Sequence, residues 1–574
     1  MDADEPDPGT DTDPLAAGDP TSPRRVSRRG LLVAGLAAAT GAAAVAIALD
    51  QQERRRPRTG SPSATSAPGT PAAPSSSAPT TRPSEPDPDR FDLLDFGARG
   101  GGADDSEALA AALDAALARS REINAGTGGE RFATLHVPAG TWRCPTLTTV
   151  AVDSPLALRG EADSFLDATG LDTSSILRCT ASVDVEGVGF RSGVRWFDFN
   201  AIETDFGLLR FVDCRFERVS HPVHAWEEGA LDHGPDRLIV EGNQVDGGAG
   251  PRGSGGGGFF LAFHRWGEAS VRDNTIRSVR AHGLRIGDQE RGNLHYADRT
   301  GLVCSGNHIS EVWGSDRAYG IIAQGSGMRI EGNRIESVAS GDGGPIGRTD
   351  TEGIYVKGHD IEIRGNRLTD AGRSQGQITV KGDAALVVDN HVTFRVSQAG
   401  SGIRMEGVGG EVRANTIVDA PAGTDVVSIQ SEPSDDTIVV TGNRITGGRP
   451  RRGIVVDRRA RVRITDNRLE GLDTDGPLVV VRTLDEGDTE HAEITGNRLA
   501  DSPRATAISI SARGDAIGEV SIAGNEYVRV ARALRVAAYE GGAIQSVAVR
   551  ENRYDAAPSE PEVVGPVPID DDED

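Results

Sequence analysis

Residues 350–357 read DTEGIYVK, 377–383 read QITVKGD and 402–406 read GIRME. Together they gather Asp350, Glu352, Tyr355, Lys357, Lys381, Arg404 and Glu406 within a short span. Two kinds of bond cleavage use such a set. One is β-elimination across a uronate, where a base removes a poorly acidic proton next to a carboxylate that Ca²⁺ or nearby cations must first neutralise. Lys357 is then the base, kept neutral by the charges of Lys381 and Arg404. Lys381 or Tyr355 protonates the leaving oxygen, Arg285 and Arg404 hold neighbouring carboxylates, and Asp350 and Glu352 offer oxygen ligands to Ca²⁺. The other is glycoside hydrolysis by two acids, with Asp350, Glu352, Asp383 and Glu406 as candidates. A third reading is non-catalytic, a cell-surface protein that binds glycan.

These side chains must be held by something repetitive. The motif Gly/Asp-Asn recurs in EGNQV, RDNTI, SGNHI, EGNRI, RGNRL, VDNHV, RANTI, TGNRI, TDNRL, TGNRL, AGNEY and RENRY, with asparagines from Asn243 to Asn552. The spacings run from 24 to 33 residues, and two weaker copies precede them, EGVGF at 186–190 and VDCRF at 212–216. Periods of this length build solenoids or propellers. The two-residue alternation in IEIRGN, ALVVDN and VRITDN excludes helical repeats, and the period is short for a four-stranded blade. The pattern predicts an all-β, single-stranded right-handed parallel β-helix of about fourteen coils, whose asparagines sit at tight turns and bond from coil to coil. Residues 104–120 predict a helix over the first coil, capped by Asp105 or Ser106, with Leu109, Ala112, Leu113, Ala116 and Leu117 facing inward.

Stacking one strand per coil aligns PVHAW (222–226), FLAFH (260–264), GLRIG (283–287), GIIAQ (320–324), GIYVK (353–357), QITVK (377–381), GIRME (402–406), VVSIQ (426–430) and GIVVD (453–457). One outward column is expected to hold His224, Ala262, Arg285, Ile322, Tyr355, Thr379 and Arg404. The other holds Trp226, His264, Gly287, Gln324, Lys357, Lys381 and Glu406. Trp226, His264, His282, Gln324, Arg285, Arg404 and Glu406 are thereby candidates for contacting an acidic polysaccharide, through cations on carboxylates and rings on sugar faces. Lys357 beside Lys381 is unfavourable unless an anion lies over the pair. Lys381 with Glu406 equally suits an ordinary exposed ion pair worth under about 1 kcal/mol.

Two resemblances bear on this. FDLLDFGARGGGADDSEALAAAL at 91–113, followed by VPAGTW at 137–142, resembles the N-terminal segment of the pectate-lyase-like β-helix superfamily, which implies the fold and extracellular polysaccharides as the usual substrates. DTEGIYVKGHDIEIRGNRL, then SQGQITVKGDAALVVDN (350–390), resembles polysaccharide lyase family six, the alginate lyases and chondroitinase B. That resemblance implies Lys357 as the catalytic lysine, Asp350 and Glu352 as calcium-binding carboxylates, and Lys381 in the place of a catalytic arginine.

Composition bounds the rest. Only 4% of the residues are aromatic while 73 are glycine, which suits a thin β-core. A net charge of −25 argues against nucleic acid as a partner. The four cysteines show no metal spacing, and Cys214 stands at a position that is otherwise Asn, a packing role. SRRGLLV at 27–33, with the Ala-rich run to Leu49, resembles a twin-arginine export signal, cleaved near Ala46-Ile47-Ala48 or retained as a membrane anchor. The expected organisation is a signal or anchor at 1–49, a Pro/Ser/Thr-rich linker at 50–90, a cap at 91–145, the β-helix at 146–556 and a solvated acidic tail at 557–574, in a monomer that is secreted or held at the cell surface.

Overall fold

The computed structural model describes residues 87–571 apart from 127–129, 201, 226–232, 249–255, 264, 288–299, 315–316, 341–349, 374, 397–399, 431–435, 458–460 and 484–487. The export segment, most of the linker, Trp226 and His264 therefore lie outside the described residues. Among the described residues no helix is long and apolar enough to cross a membrane.

The chain winds as a parallel β-solenoid: each strand pairs with its counterparts one coil before and one coil after. The coil around Asn366 shows the plan. Glu362–Arg364 lies between Arg329–Glu331 and Leu386–Val388. Gly365 then turns the chain at φ 62°, Asn366 points into the interior, and Arg367–Thr369 starts the next face. The left-handed residue is the one before the asparagine, Gly or Asp in ten of the twelve copies and Ala414 or Glu551 in the other two. In every step from Asn243 to Asn552, Oδ1 of the later asparagine accepts the main-chain N–H and the side-chain N–H of the earlier one at 2.9–3.1 Å. These amides are buried, so the ladder satisfies groups that would otherwise cost about 1–3 kcal/mol each. Cys214 heads it: its N–H donates to Asn243 Oδ1 at 2.9 Å, and burial pushes its thiol up to about 12. All four cysteines are buried free thiols.

The candidate residues ride on seven stacked strands: β1 (Thr275–Ile286), β2 (Arg317–Ser326), β3 (Asp350–His359), β4 (Gly376–Asp383), β5 (Ser401–Glu406), β6 (Asp425–Gln430) and β7 (Arg452–Asp457). Leu284, Ile321, Ile354, Ile378, Ile403, Val427 and Ile454 form one inward column, fully buried. A bend precedes it. A Cβ on Gly353 would lie 2.6 Å from Leu368 Cδ2 and 2.8 Å from Ala371 Cβ, so positions 353 and 354 both face the core and Glu352 is turned outward. In the next coil Gln377 fills that inward place, its Oε1 accepting from Ala371 N at 2.6 Å and its Nε2 donating to Gly372 O at 2.9 Å.

Three expectations need correction. In the coil before β1, Phe260 pairs with His224 and with Arg285, so Phe260, not Ala262, occupies the first outward column. The helix α1 (Ser106–Asn124) buries the predicted face and Asp105 stands at its N-cap, but its side chain makes no capping bond: Asp104 Oδ1 accepts from Ser106 N at 3.0 Å while Asp105 holds the amides of Arg99 and Gly100. The C-terminal segment is not a free tail, since Glu562–Val564 and Ile569–Asp571 add strands to the last coil.

Candidate active site

Glu352 is the centre of the site. It is 1% exposed, and among the described residues its Oε2 has no hydrogen-bond partner. Burial pushes its carboxyl up to about 8, and the charge of Asp350 adds to that rise. Lys381 and Arg404 oppose it. Asp350 lies two residues earlier on β3 and accepts from Gln375 Nε2 at 3.4 Å. A cleft of about 230 Å³ opens there, lined by Arg317, Tyr319, Asp350, Glu352, Tyr355, Gln375 and Lys381.

The basic residues are committed within the face. Glu406 forms ion pairs with Lys381 Nζ at 3.2 Å and with Arg404 Nη2 at 2.5 Å. Lys381 also lies over the Tyr355 ring, 5.8 Å from its centre. The ion-pair reading of Lys381 and Glu406 holds. Lys357 sits between Gln324 and Lys381 in the ladder, and of these three only Lys381 is among the residues lining the cleft. Asp383 is occupied at a corner, accepting from Val408 N at 2.8 Å beside His359.

Toward the N-terminal coils the face becomes aromatic. Tyr355 meets Tyr319 edge-on with centres 5.8 Å apart, and Tyr319 stacks on His282 at 5.6 Å. His282 contacts Phe260, which stacks on His224 at 4.9 Å and carries the Arg285 guanidinium at 4.5 Å. Burial first, and Arg285 next, hold His282 well below the usual imidazole range. The structure therefore divides the predicted residues. Asp350, Glu352, Tyr355, Lys381, Arg404 and Glu406 cluster, whereas Arg285 and His282 belong to the aromatic stretch, and the fully buried Ile322 separates Arg285 from Tyr355 in the column. Toward the C-terminal coils the face closes with ion pairs. Asp425 is gripped by Arg451 and Arg452, and Asp457 by Arg482 at 2.6 and 3.0 Å.

Asp350, Glu352 and Gln375 Oε1 offer oxygens at the cleft, where Lys381 also lies, and calcium takes six to eight such ligands. Among the described residues no group of three or more His, Cys, Asp or Glu is placed to hold a metal. Tyr319, Gln375 and Arg317 escaped sequence reasoning. The signal for Gln375 was available in its position ahead of Gly376, but that for Tyr319 required the bend at Gly320.

Residues 292–483 match the right handed beta helix region family model. The β-helix is thus supported by sequence as well as by topology. No curated protein matches the chain. Similar solved structures include the catalytic unit of a GH87 alpha-1,3-glucanase from Streptomyces thermodiastaticus (14% identity, 82% of this chain and 69% of that one, TM-score 0.33). Others are DFA-IIIase from Arthrobacter chlorophenolicus (13%, 61% and 94%, 0.36) and a tailspike protein mutant of E. coli bacteriophage HK620 (12%, 83% and 78%, 0.37). At such identities and TM-scores nothing about activity passes from them to this β-helix.

Proposed function

We propose that the protein is a carbohydrate-active enzyme that hydrolyses a glycosidic bond, with Glu352 as general acid and Asp350 as the second carboxyl group. The observation that carries this reading is a buried carboxyl kept protonated near neutral pH beside a second carboxylate in an open cleft. A pair of acids whose environments push their protonation apart is what glycoside hydrolysis requires. The Glu352 carboxyl gives its proton to the leaving glycosidic oxygen as the C–O bond breaks. Water adds to the anomeric carbon, and its proton passes to Asp350. One water is consumed, and the cycle closes when Asp350 releases that proton to solvent and Glu352 takes one up. The export-type sequence at 27–49 fits a glycan outside the cell. Elimination by Lys357 has weaker support, because that lysine does not line the cleft.

Release of reducing ends from a panel of polysaccharides tests the assignment, with absorbance of unsaturated uronates followed in the same reactions. Glu352→Gln and Asp350→Asn are each expected to lower kcat by 100-fold or more, and Asp383→Asn to leave it unchanged. Wild-type activity is expected to fall as pH rises through about 8, where Glu352 would lose its proton. Unsaturated products abolished by Lys357→Ala would replace hydrolysis with elimination.

A further inference from the structure

We infer that the cleft selects an uncharged glycan, an inference that rests on the hydrolase reading and departs from the acidic polysaccharide expected from sequence. The side chains differ in whether the protein already pairs them. Of the charged groups at the cleft, Lys381 and Arg404 share Glu406. The next coils repeat the pattern with Asp425 on Arg451 and Arg452, and Asp457 on Arg482. Among the described residues, both amide atoms of Gln324, Gln375 Oε1, Thr379 Oγ1 and Glu352 Oε2 have no hydrogen-bond partner; Arg404 Nε and Glu406 Oε1 have none either, but they belong to side chains already joined in that ion pair. Gln324, Thr379 and Glu352 are each at least 99% buried, and Thr379 stands directly beside Tyr355 in the ladder. Amides, a hydroxyl and an un-ionised carboxyl match the mixed donor and acceptor character of sugar hydroxyls. A carboxylate or sulfate ester would find the cations taken and Asp350 and Glu406 repelling it.

Affinity electrophoresis separates the possibilities. Wild type and Glu352→Gln are run through gels containing neutral polymers (α- and β-glucans, mannan, xylan, inulin) or acidic ones (alginate, polygalacturonate, chondroitin sulfate), without and with roughly 0.5 M salt, well past the range of surface charge effects. Retardation by at least one neutral polymer, insensitive to salt and weakened fivefold or more in Gln375→Ala, is expected. Glu406→Gln, checked for fold by circular dichroism, releases Lys381 and Arg404 and is expected to gain tenfold or more in retention by polygalacturonate. Salt-sensitive retardation of the wild type by acidic polymers alone, or retardation by none, overturns the inference. The two proposals fail separately. Retention of a neutral glycan without release of reducing ends removes the hydrolase and keeps the specificity, whereas release from polygalacturonate does the reverse.

Discussion

Glu352 is a carboxyl that the fold makes costly to ionise. Its value of about 8 in the folded protein lies above the 4.5 of the free group, so between those two pH values the folded state holds a proton that the unfolded state has lost. Stability contributed by this residue is present at low pH and is lost as pH rises toward 8 and beyond. Glu352→Gln keeps the shape and removes the titration. Thermal melts of the two proteins are expected to agree near pH 5 and to diverge by pH 8, with the variant the more stable by an amount on the order of 4 kcal/mol. A wild type as stable as the variant at pH 8 would place the proton elsewhere. The sequence made Asp350, Glu352, Lys381, Arg404 and Glu406 visible as a group, because a two-residue period stacks them. It did not show that Lys381 and Arg404 spend their charge on Glu406, since that depends on where long side chains end.

At the scale of the element, bends and turns decide what each strand presents. Reading EGIYVK as a straight strand leaves Glu352 without a fixed direction, and the inward-facing pair at 353 and 354 supplies it. Gly353→Ala forces a methyl against Leu368 and Ala371, so a loss of about 2 kcal/mol is expected, together with lower activity as Glu352 shifts. Asn366→Ala removes four ladder bonds and strands buried donors on Asn333, costing about 3 kcal/mol. Urea midpoints measure both, and Gly332→Asn, where φ is 63° and the space around a Cβ is open, is the near-neutral control. The misplacement of Phe260 has the same origin. A slip of two residues keeps every side chain on its proper face, so the run GGFFLAF at 257–263 admits either register. Only the irregularity between Gly257 and Phe259 selects one.

Across the whole β-helix, the site is tied to the ladder by a constant distance. Ile321, Ile354, Ile378 and Ile403 each precede their coil's asparagine by twelve residues (333, 366, 390 and 415). Coil lengths differ on the other side, between an asparagine and the strand after it. The fold was legible because the repeat is strict at the turn, while the C-terminal end was not, being made from segments that occur once. The last strands, Glu562–Val564 and Ile569–Asp571, are too short to show alternation, and Arg532, Arg535 and Arg550 fix them by pairing with Glu562 and Asp570. They cover strand edges at Arg535–Ala537 and Val547–Val549. Ending the chain at residue 556 bares those edges. Sedimentation velocity is expected to show concentration-dependent association of the shortened protein and none of the full chain.

The ladder also bears on chemical ageing. An asparagine loses its amide when the nitrogen of the following residue attacks the side-chain carbonyl. From Asn243 to Asn525 in this protein, that nitrogen is engaged with a main-chain oxygen one coil back at 2.8 Å, and so is the nitrogen after Asn552. Glycine precedes or neighbours many of these residues but follows none of them. The repeat that sets the coils thus withholds the nucleophile from its own least durable side chain, which suits a protein that works where it is not replaced quickly.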